Sequence, residues 1–581
     1  MRRFIVTAVL AFVILAMLAP PGFAQAPAPK VTITGLFDQI TSMGRNTYDG
    51  NLTRNSDKEW YARTRFRPDF EFAVGRVKAV LGLEIDLQYG QSGPNDGGFP
   101  GNTSGSTCGS AAVEGGGRTP PGGKVNTNGC LDLNTDVGGM IEIKWIYTEF
   151  PLTGKDSLLP FIPVETMARA GGQPFDTLAQ YKLAQYANGD FAGVSAITTF
   201  APNIKTNLAY AILEDELAGS NRGNPSLKIS RGEDYAVIFS PEISPFKGLD
   251  LKPLYSLFHA GGQTTGTARR NLTNRASAGG TLNAVASRGA PVGPATAGDP
   301  SYHEDRHTVG IDARLRIGPF GLDPTFYYQF GRVDSQAFDT SPGANGVGTK
   351  KVTADISAFL FDVIASFQLG PLLLEGRGMY SPGNKARDNL SKGIRYYQPL
   401  DTDGNYYAGG WTQFFASGVD YFNQGWATTG NYVGYDRYGR AQLTGRVTYS
   451  ITPALSVYGV LGPLWTAEKV DTDTGSQLAS ASGTGTPART TVSQNSWAKG
   501  DTNYLGTEAN LGLTWRFSPN TAFDLVSGYF FAHQGNSGFD AAECRVTVPG
   551  TTANAACSNG TVFKKGAEDA YTLAARIRLA F

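Results

Sequence analysis

Apolar and polar residues alternate one for one in short runs along the whole chain. Within WYARTRFRPDFEFAVG (60–75), the charged residues Arg63, Arg65, Arg67, Asp69 and Glu71 are separated by Thr64, Phe66, Pro68 and Phe70. VKAVLGLEIDLQYG (77–90) puts Lys78, Glu84, Asp86 and Gln88 on one side and Val77, Leu81, Leu83, Ile85 and Leu87 on the other. IEIKWIY (141–147) sets Glu142 and Lys144 against Ile141, Ile143, Trp145 and Tyr147. VGIDARLRIG (309–318) sets Asp312, Arg314 and Arg316 against Ile311, Ala313, Leu315 and Ile317. The terminal DAYTLAARIRLAF sets Arg576 and Arg578 against Tyr571, Leu573, Ile577, Leu579 and Phe581. A period of two is that of a β-strand with two unlike faces.

The spacing between these runs predicts how they connect. Tight turns fall near Val74–Val77, Pro151–Leu159, Pro202–Ile204, Pro245–Gly248, Gly318–Gly321, Gly370–Leu372, Thr452–Leu455 and Ser518–Thr521. Long polar loops fall near 42–58, 90–138, 176–190, 215–231, 260–304, 334–351, 382–437, 470–502 and 534–567. Short and long connections alternate strictly, which predicts an all-β transmembrane antiparallel β-barrel of about eighteen strands (16–18), with short periplasmic turns and long outer loops. Segments 5, 8 and 12 alternate poorly. Lipid tolerates no open sheet edge, so the last strand must pair with the first. At this strand number the lumen holds water, and the ionic faces turn toward it.

Composition fits that picture. Charged residues are 17% of the 581-residue chain, Gly numbers 73, and the net charge is zero, which argues against nucleic acid as a partner. Arg2 and Arg3 followed by FIVTAVLAFVILAML and APPGFAQAPAPK read as a signal peptide cut after Ala24, leaving 25–581 as one barrel domain. The expected location is the bacterial outer membrane, the surrounding partner its lipid. Phe581, closing an amphipathic strand, is the expected signal to the barrel-assembly machinery. Export permits disulfides. Cys108, Cys130, Cys544 and Cys557 allow three pairings, of which 108–130 with 544–557 is the simplest.

Closure would bring Arg576, Arg578, Arg63, Arg65 and Arg67 onto one arc of the inner wall, with Asp69, Glu71, Glu84 and Asp86 beside it. With Lys78, Asp312, Arg314 and Arg316, these are the candidate pore-lining residues. Two readings stand: opposed arcs set up a transverse field that selects ions, or the charges pair across strands and keep the lumen wet. Basic and acidic positions on the inner faces are nearly equal in number.

YLGTEANLGLTWRFSPNTAFDLVSGYFF (504–531) resembles the last hairpin of the alginate-export family of outer-membrane barrels, through Gly506, Glu508, Gly528, Tyr529 and Phe530. The resemblance implies eighteen strands and export of a polyanion through a basic lumen. The residues themselves point to a porin for passive diffusion of small hydrophilic solutes. The alternative is substrate-specific transport of a polysaccharide or sugar.

Loop 382–437 is crowded with aromatics, among them Tyr396, Tyr397, Tyr406, Tyr407, Trp411 and Trp426. It either folds into the lumen, stacks on sugars (Tyr406, Tyr407, Trp411 and Trp426 being the candidates), or packs on itself above the membrane. HEDRH (303–307) matches the zinc-protease pattern, but in a strand His303 and His307 stand about 13 Å apart, too far to share a metal. DTDGN (401–405) has calcium-loop spacing but lacks the bidentate Glu. With no nucleophile–base pair in view, the sequence predicts no enzyme, no cofactor and no metal.

Overall fold

The computed structural model describes residues 28–46, 58–89, 139–175, 186–214, 234–262, 291–292, 302–338, 349–385, 393–398, 400–402, 439–470, 502–533 and 569–581. Eighteen long strands form the wall. They are β1 (Lys30–Arg45), β2 (Lys58–Val74), β3 (Val77–Tyr89), β4 (Gly139–Thr153), β5 (Glu165–Phe175) and β6 (Ala187–Ala201). Next come β7 (Ile204–Glu214), β8 (Asp234–Phe246), β9 (Leu249–Gly262), β10 (Tyr302–Ile317), β11 (Phe320–Phe338) and β12 (Thr349–Leu369). The last six are β13 (Leu372–Ser381), β14 (Arg440–Ser450), β15 (Leu455–Val470), β16 (Thr502–Ser518), β17 (Thr521–Ala532) and β18 (Ala570–Ala580). Three two-residue strands, Pro291–Val292, Gly393–Ile394 and Asp401–Thr402, are additions to this wall.

Every wall strand pairs antiparallel with its neighbour, and β18 pairs with β1 from Leu36↔Ala580 to Arg45↔Tyr571, so the sheet is a closed barrel. The turns fall where the sequence places them. Gly75, Gly318 and Gly370 open two-residue turns with φ of 60°, 56° and 55°, as hairpin turns with a Gly in the first central position require. Pro319 and Pro371 follow two of them and stop the strand from running on.

The two faces differ as alternation demands. Outward stand Val31, Ile33, Phe72, Ile311, Ile317, Leu573, Ile577 and Leu579, all exposed apolar side chains. On a soluble surface this apolar area would be unstable; against hydrocarbon it is the favoured state. Inward stand Asp38, Arg63, Arg65, Glu84, Asp312 and Arg377, buried within the barrel.

β4 departs from the expected alternation. The register of β3 with β4 runs Gly82↔Trp145 and then Leu83↔Ile143, so Lys144 is an extra residue in a bulge. The bulge turns Trp145 and Tyr147 to the inner face, not outward with Ile141 and Ile143 as strict alternation predicts. Trp145 lies on Gly82, where an added Cβ would sit 1.9 Å from the indole nitrogen.

Candidate functional site

Many charges of the inner wall are joined across neighbouring strands in pairs of opposite sign. Arg578 on β18 grips Asp38 on β1 with two hydrogen bonds, 2.6 and 2.5 Å. Arg576 reaches Asp524 on β17 at 2.8 Å. Arg65 and Arg67 on β2 both meet Glu84 on β3 at 3.0 Å, and Lys144 joins the same carboxylate at 3.5 Å. Lower down, Lys78 bridges Glu71 at 3.3 Å and Glu149 at 3.2 Å, and Arg169 on β5 closes on Glu149 at 2.5 Å. Further round, Lys252 meets Glu242 at 2.8 Å, Arg316 meets Asp323 at 2.5 Å, and Arg446 meets Glu375 at 3.8 Å. Arg377 and Asp362, both fully buried, form a fork with two 2.9 Å bonds.

Among the described side chains, Arg63, Arg65, Glu84 and Asp312 are buried on the inner face, but the grouping of the charges differs from the expected one. The five arginines Arg63, Arg65, Arg67, Arg576 and Arg578 do share an arc, since β18 adjoins β1 and β1 adjoins β2. That arc is not uniformly basic: Asp38, Asp524 and Glu84 stand among the arginines. Asp69 accepts a hydrogen bond from Trp145. Asp312 accepts from Thr325 and, at 2.5 Å, from Tyr327. Arg314 stands opposite Asp250 in register, and Asp86 opposite Arg65. The cysteines Cys108, Cys130, Cys544 and Cys557 and the ring candidates Tyr406, Tyr407, Trp411 and Trp426 lie outside the described residues.

The second feature is a segment of the β13–β14 connection that folds into the barrel. Ile394, Tyr396, Tyr397, Gln398 and Leu400 are all buried. Gln329 on the inner face of β11 holds the main chain of Gln398 at both ends, donating to its carbonyl at 2.6 Å and accepting from its amide at 2.9 Å. Arg306 on β10 donates to the Gln398 side chain at 2.6 Å, pairs with Glu304 at 3.1 Å and lies over the Phe258 ring. Tyr397 stacks on Tyr327 with ring centroids 6.3 Å apart and planes 12° apart. Tyr186, from the end of the β5–β6 connection, also packs on Tyr327, with ring centroids 6.2 Å apart, and its hydroxyl meets Ser256 at 2.7 Å. The Leu400 amide donates to the Tyr186 carbonyl at 2.7 Å, joining the two inward segments.

The wall beneath is made to receive them. Ala209, Ala211, Ala236, Ala260, Ala354 and Ala358 are inward-facing and buried in the same cluster as the inserted residues. Small side chains leave room for a second layer of chain, and that layer covers them from water. The lumen is consequently narrowed from the β7–β13 side, facing the charged arc of β18, β1, β2 and β3.

No protein-family model matches the chain, and no curated protein matches it. Among solved structures it is similar to Pseudomonas aeruginosa OccK8 (OprE), with 10% identity, TM-score 0.43, and 94% of this chain and 98% of that one covered. It is similar to Pseudomonas aeruginosa OccK5 (OpdH), with 10% identity, TM-score 0.40 and the same coverage. The outer membrane protein OprD from Pseudomonas aeruginosa gives 10% identity, TM-score 0.41, and coverage of 94% and 93%. The resemblance of 504–531 to the alginate-export family has no family match behind it.

In that hairpin Glu508 is buried and accepts from Asn510 at 2.8 Å, Phe530 faces inward, and Tyr529 faces outward. Asp38, Glu149, Glu242, Glu304, Arg306 and Asp362 belong to the inner network and were not among the residues singled out from the sequence. Register marks three of them: Asp38 stands opposite Arg65 and Arg578, Glu149 opposite Lys78 and Arg169, and Glu242 opposite Lys205. Glu304 and Arg306 pair along one strand, and Asp362 reaches Arg377 diagonally from β12 to β13.

Proposed function

We propose that the protein is a passive channel of the bacterial outer membrane for small hydrophilic solutes, with its constriction formed by the inserted 393–402 segment, Tyr186, and the facing charged arc. The carrying observation is the closed barrel that is apolar outside, ionic inside, and narrowed by its own chain. A wall of cross-paired charges keeps the lumen wet while presenting little net field, which suits weak selectivity among small solutes. The paired charges also weigh against a polyanion conduit, which would need an excess of basic groups. The inserted Tyr396 and Tyr397 are consumed by packing, which leaves their faces unavailable to a sugar. Phe581, exposed on the outside of the seam, is the residue proposed to address the barrel-assembly machinery.

Planar-bilayer recording of the refolded protein tests this. Steady ohmic conductance with modest ion preference is expected, and neither small sugars nor an anionic polysaccharide should block at low concentration. Conductance that is absent, or that one polymer occludes at low concentration, would replace the passive reading with a dedicated transport role.

A further inference from the structure

The chain has four histidines. Three of them, His259, His303 and His307, fall on one strip of the outer face, where β9 and β10 approach the long connection between them. His303 and Asp305 are two apart on β10 and so project from the same face. The register puts Asp305 directly opposite His259 on β9. The Asp305 carboxylate lies between the two imidazoles, with one oxygen 2.6 Å from His259 Nδ1 and the other 3.0 Å from His303 Nε2. One donor atom from each of the three residues falls within 4.8 Å of the other two. The His259 and His303 rings meet edge to face, 5.2 Å apart.

We propose that His259, His303 and Asp305 form a binding site for a divalent transition-metal ion, zinc first among them, on the outer rim of the barrel. Two borderline imidazole nitrogens and one carboxylate oxygen are a donor set that zinc and its late first-row neighbours favour. Magnesium and calcium want six or more oxygens, which this strip does not supply. Bonds of about 2.1 Å to a tetrahedral ion put ligand atoms about 3.4 Å apart. The present separations, 2.6 and 3.0 Å from the carboxylate oxygens to the imidazoles and all donors within 4.8 Å, bracket that spacing. The three side chains keep 19%, 42% and 44% of their surface open for His259, Asp305 and His303. The fourth position of the ion therefore faces outward, to water or an anionic oxygen.

The surroundings place the cluster at the edge of the apolar zone. Further down the outer face stand Tyr255, two outward positions from His259 on β9, and His307, one from Asp305 on β10, whose ring stacks on Phe330 with centroids 5.0 Å apart. The hydroxyl of Tyr255 lies 3.1 Å from His307 Nδ1. His307 is thus occupied by aromatic and hydrogen-bond partners and stands apart from the three donors. The neighbouring cation, Arg332, is opposite Asp305 on β11, with its nearest paired acid, Asp355, at 3.9 Å. The site differs from the H-E-x-x-H pattern, because the second imidazole comes from the adjoining strand instead of four residues along.

The test uses the untagged full chain, folded in detergent micelles and stripped of metal with a chelator. Zinc titration by calorimetry and cobalt titration by visible absorption are expected to show one saturable equivalent, with the intense spectrum of four-coordinate cobalt. H259A, H303A and D305N should each weaken binding by more than the roughly 10–100-fold that loss of an outer partner costs. H307A should bind as the parent does. Heat-modifiable migration on gels checks that every variant is folded. Absence of saturable binding, binding unchanged in the three variants, or equal loss in H307A would each overturn the site. None of these readouts depends on the channel reading.

Discussion

Glu84 shows how the inner wall balances charge residue by residue. Its one carboxylate takes Arg65, Arg67 and Lys144 together, with approaches of 3.0, 3.0 and 3.5 Å. Removing its charge while keeping its shape leaves three cations facing the narrowed lumen. E84Q is therefore expected to move the reversal potential in a salt gradient toward anion preference, and R65Q to move it the other way. Both shifts should shrink as ionic strength rises, because the Debye length falls from about 10 Å at 0.1 M to about 3 Å at 1 M. A folded E84Q channel with the parent's reversal potential would mean these groups only hydrate the wall. That outcome was one of two readings open from the sequence. Arg63, Arg65 and Arg67 are visible as a basic ladder by period alone, but the neutralisation of Arg65 and Arg67 by Glu84 on the next strand needs the register of β2 with β3.

At the scale of elements, the same logic explains which strands were legible. Turns announced themselves through Gly and Pro, and most strands through clean alternation. β8 and β12 alternate poorly because both their faces are apolar: Ala236 and Ile238, and Ala354, Ile356, Ala358 and Leu360, line the inside under the inserted chain. A strand that reads as ambiguous was in fact reporting a second layer. The β4 bulge is the opposite case, since nothing in IEIKWIY marks Lys144 as the extra residue that sends Trp145 and Tyr147 inward. The inserted segment itself should act as the constriction. Replacing 393–402 by a Gly/Ser run of equal length is expected to raise single-channel conductance and leave the barrel folded. Q329A, which loses both main-chain anchors of Gln398 at a net cost of about 1–3 kcal/mol, should give a channel that flickers toward that higher level. Conductance unchanged in both variants would remove the segment from the permeation path.

For the molecule as a whole, everything depends on the seam between first and last strands. An open edge in hydrocarbon leaves unpaired amides and carbonyls that each cost several kcal/mol, so closure is obligatory. Three contacts reinforce it. Inside, Arg578 forks onto Asp38. At the end, Phe581 and Gly35 exchange backbone hydrogen bonds of 3.0 and 2.9 Å. Outside, the rings of Phe37, Phe66 and Phe581, from β1, β2 and the residue after β18, lie 5.8 and 6.0 Å apart in sequence. Gly35 is the tightest point of this arrangement. A Cβ there would sit 2.3 Å from the Arg67 carbonyl oxygen and 3.0 Å from the Phe581 ring. G35V is accordingly expected to slow closure several-fold and lower the folded fraction, read as loss of the heat-modifiable band during refolding into micelles. D38N, which removes one inner contact and leaves the backbone ladder intact, should close at nearly the parent's rate and lose stability instead. If G35V closed as fast as the parent, the last strand would be docking with the first before Gly35 and Phe581 meet, and the aromatic cluster would be a late addition to a seam already formed.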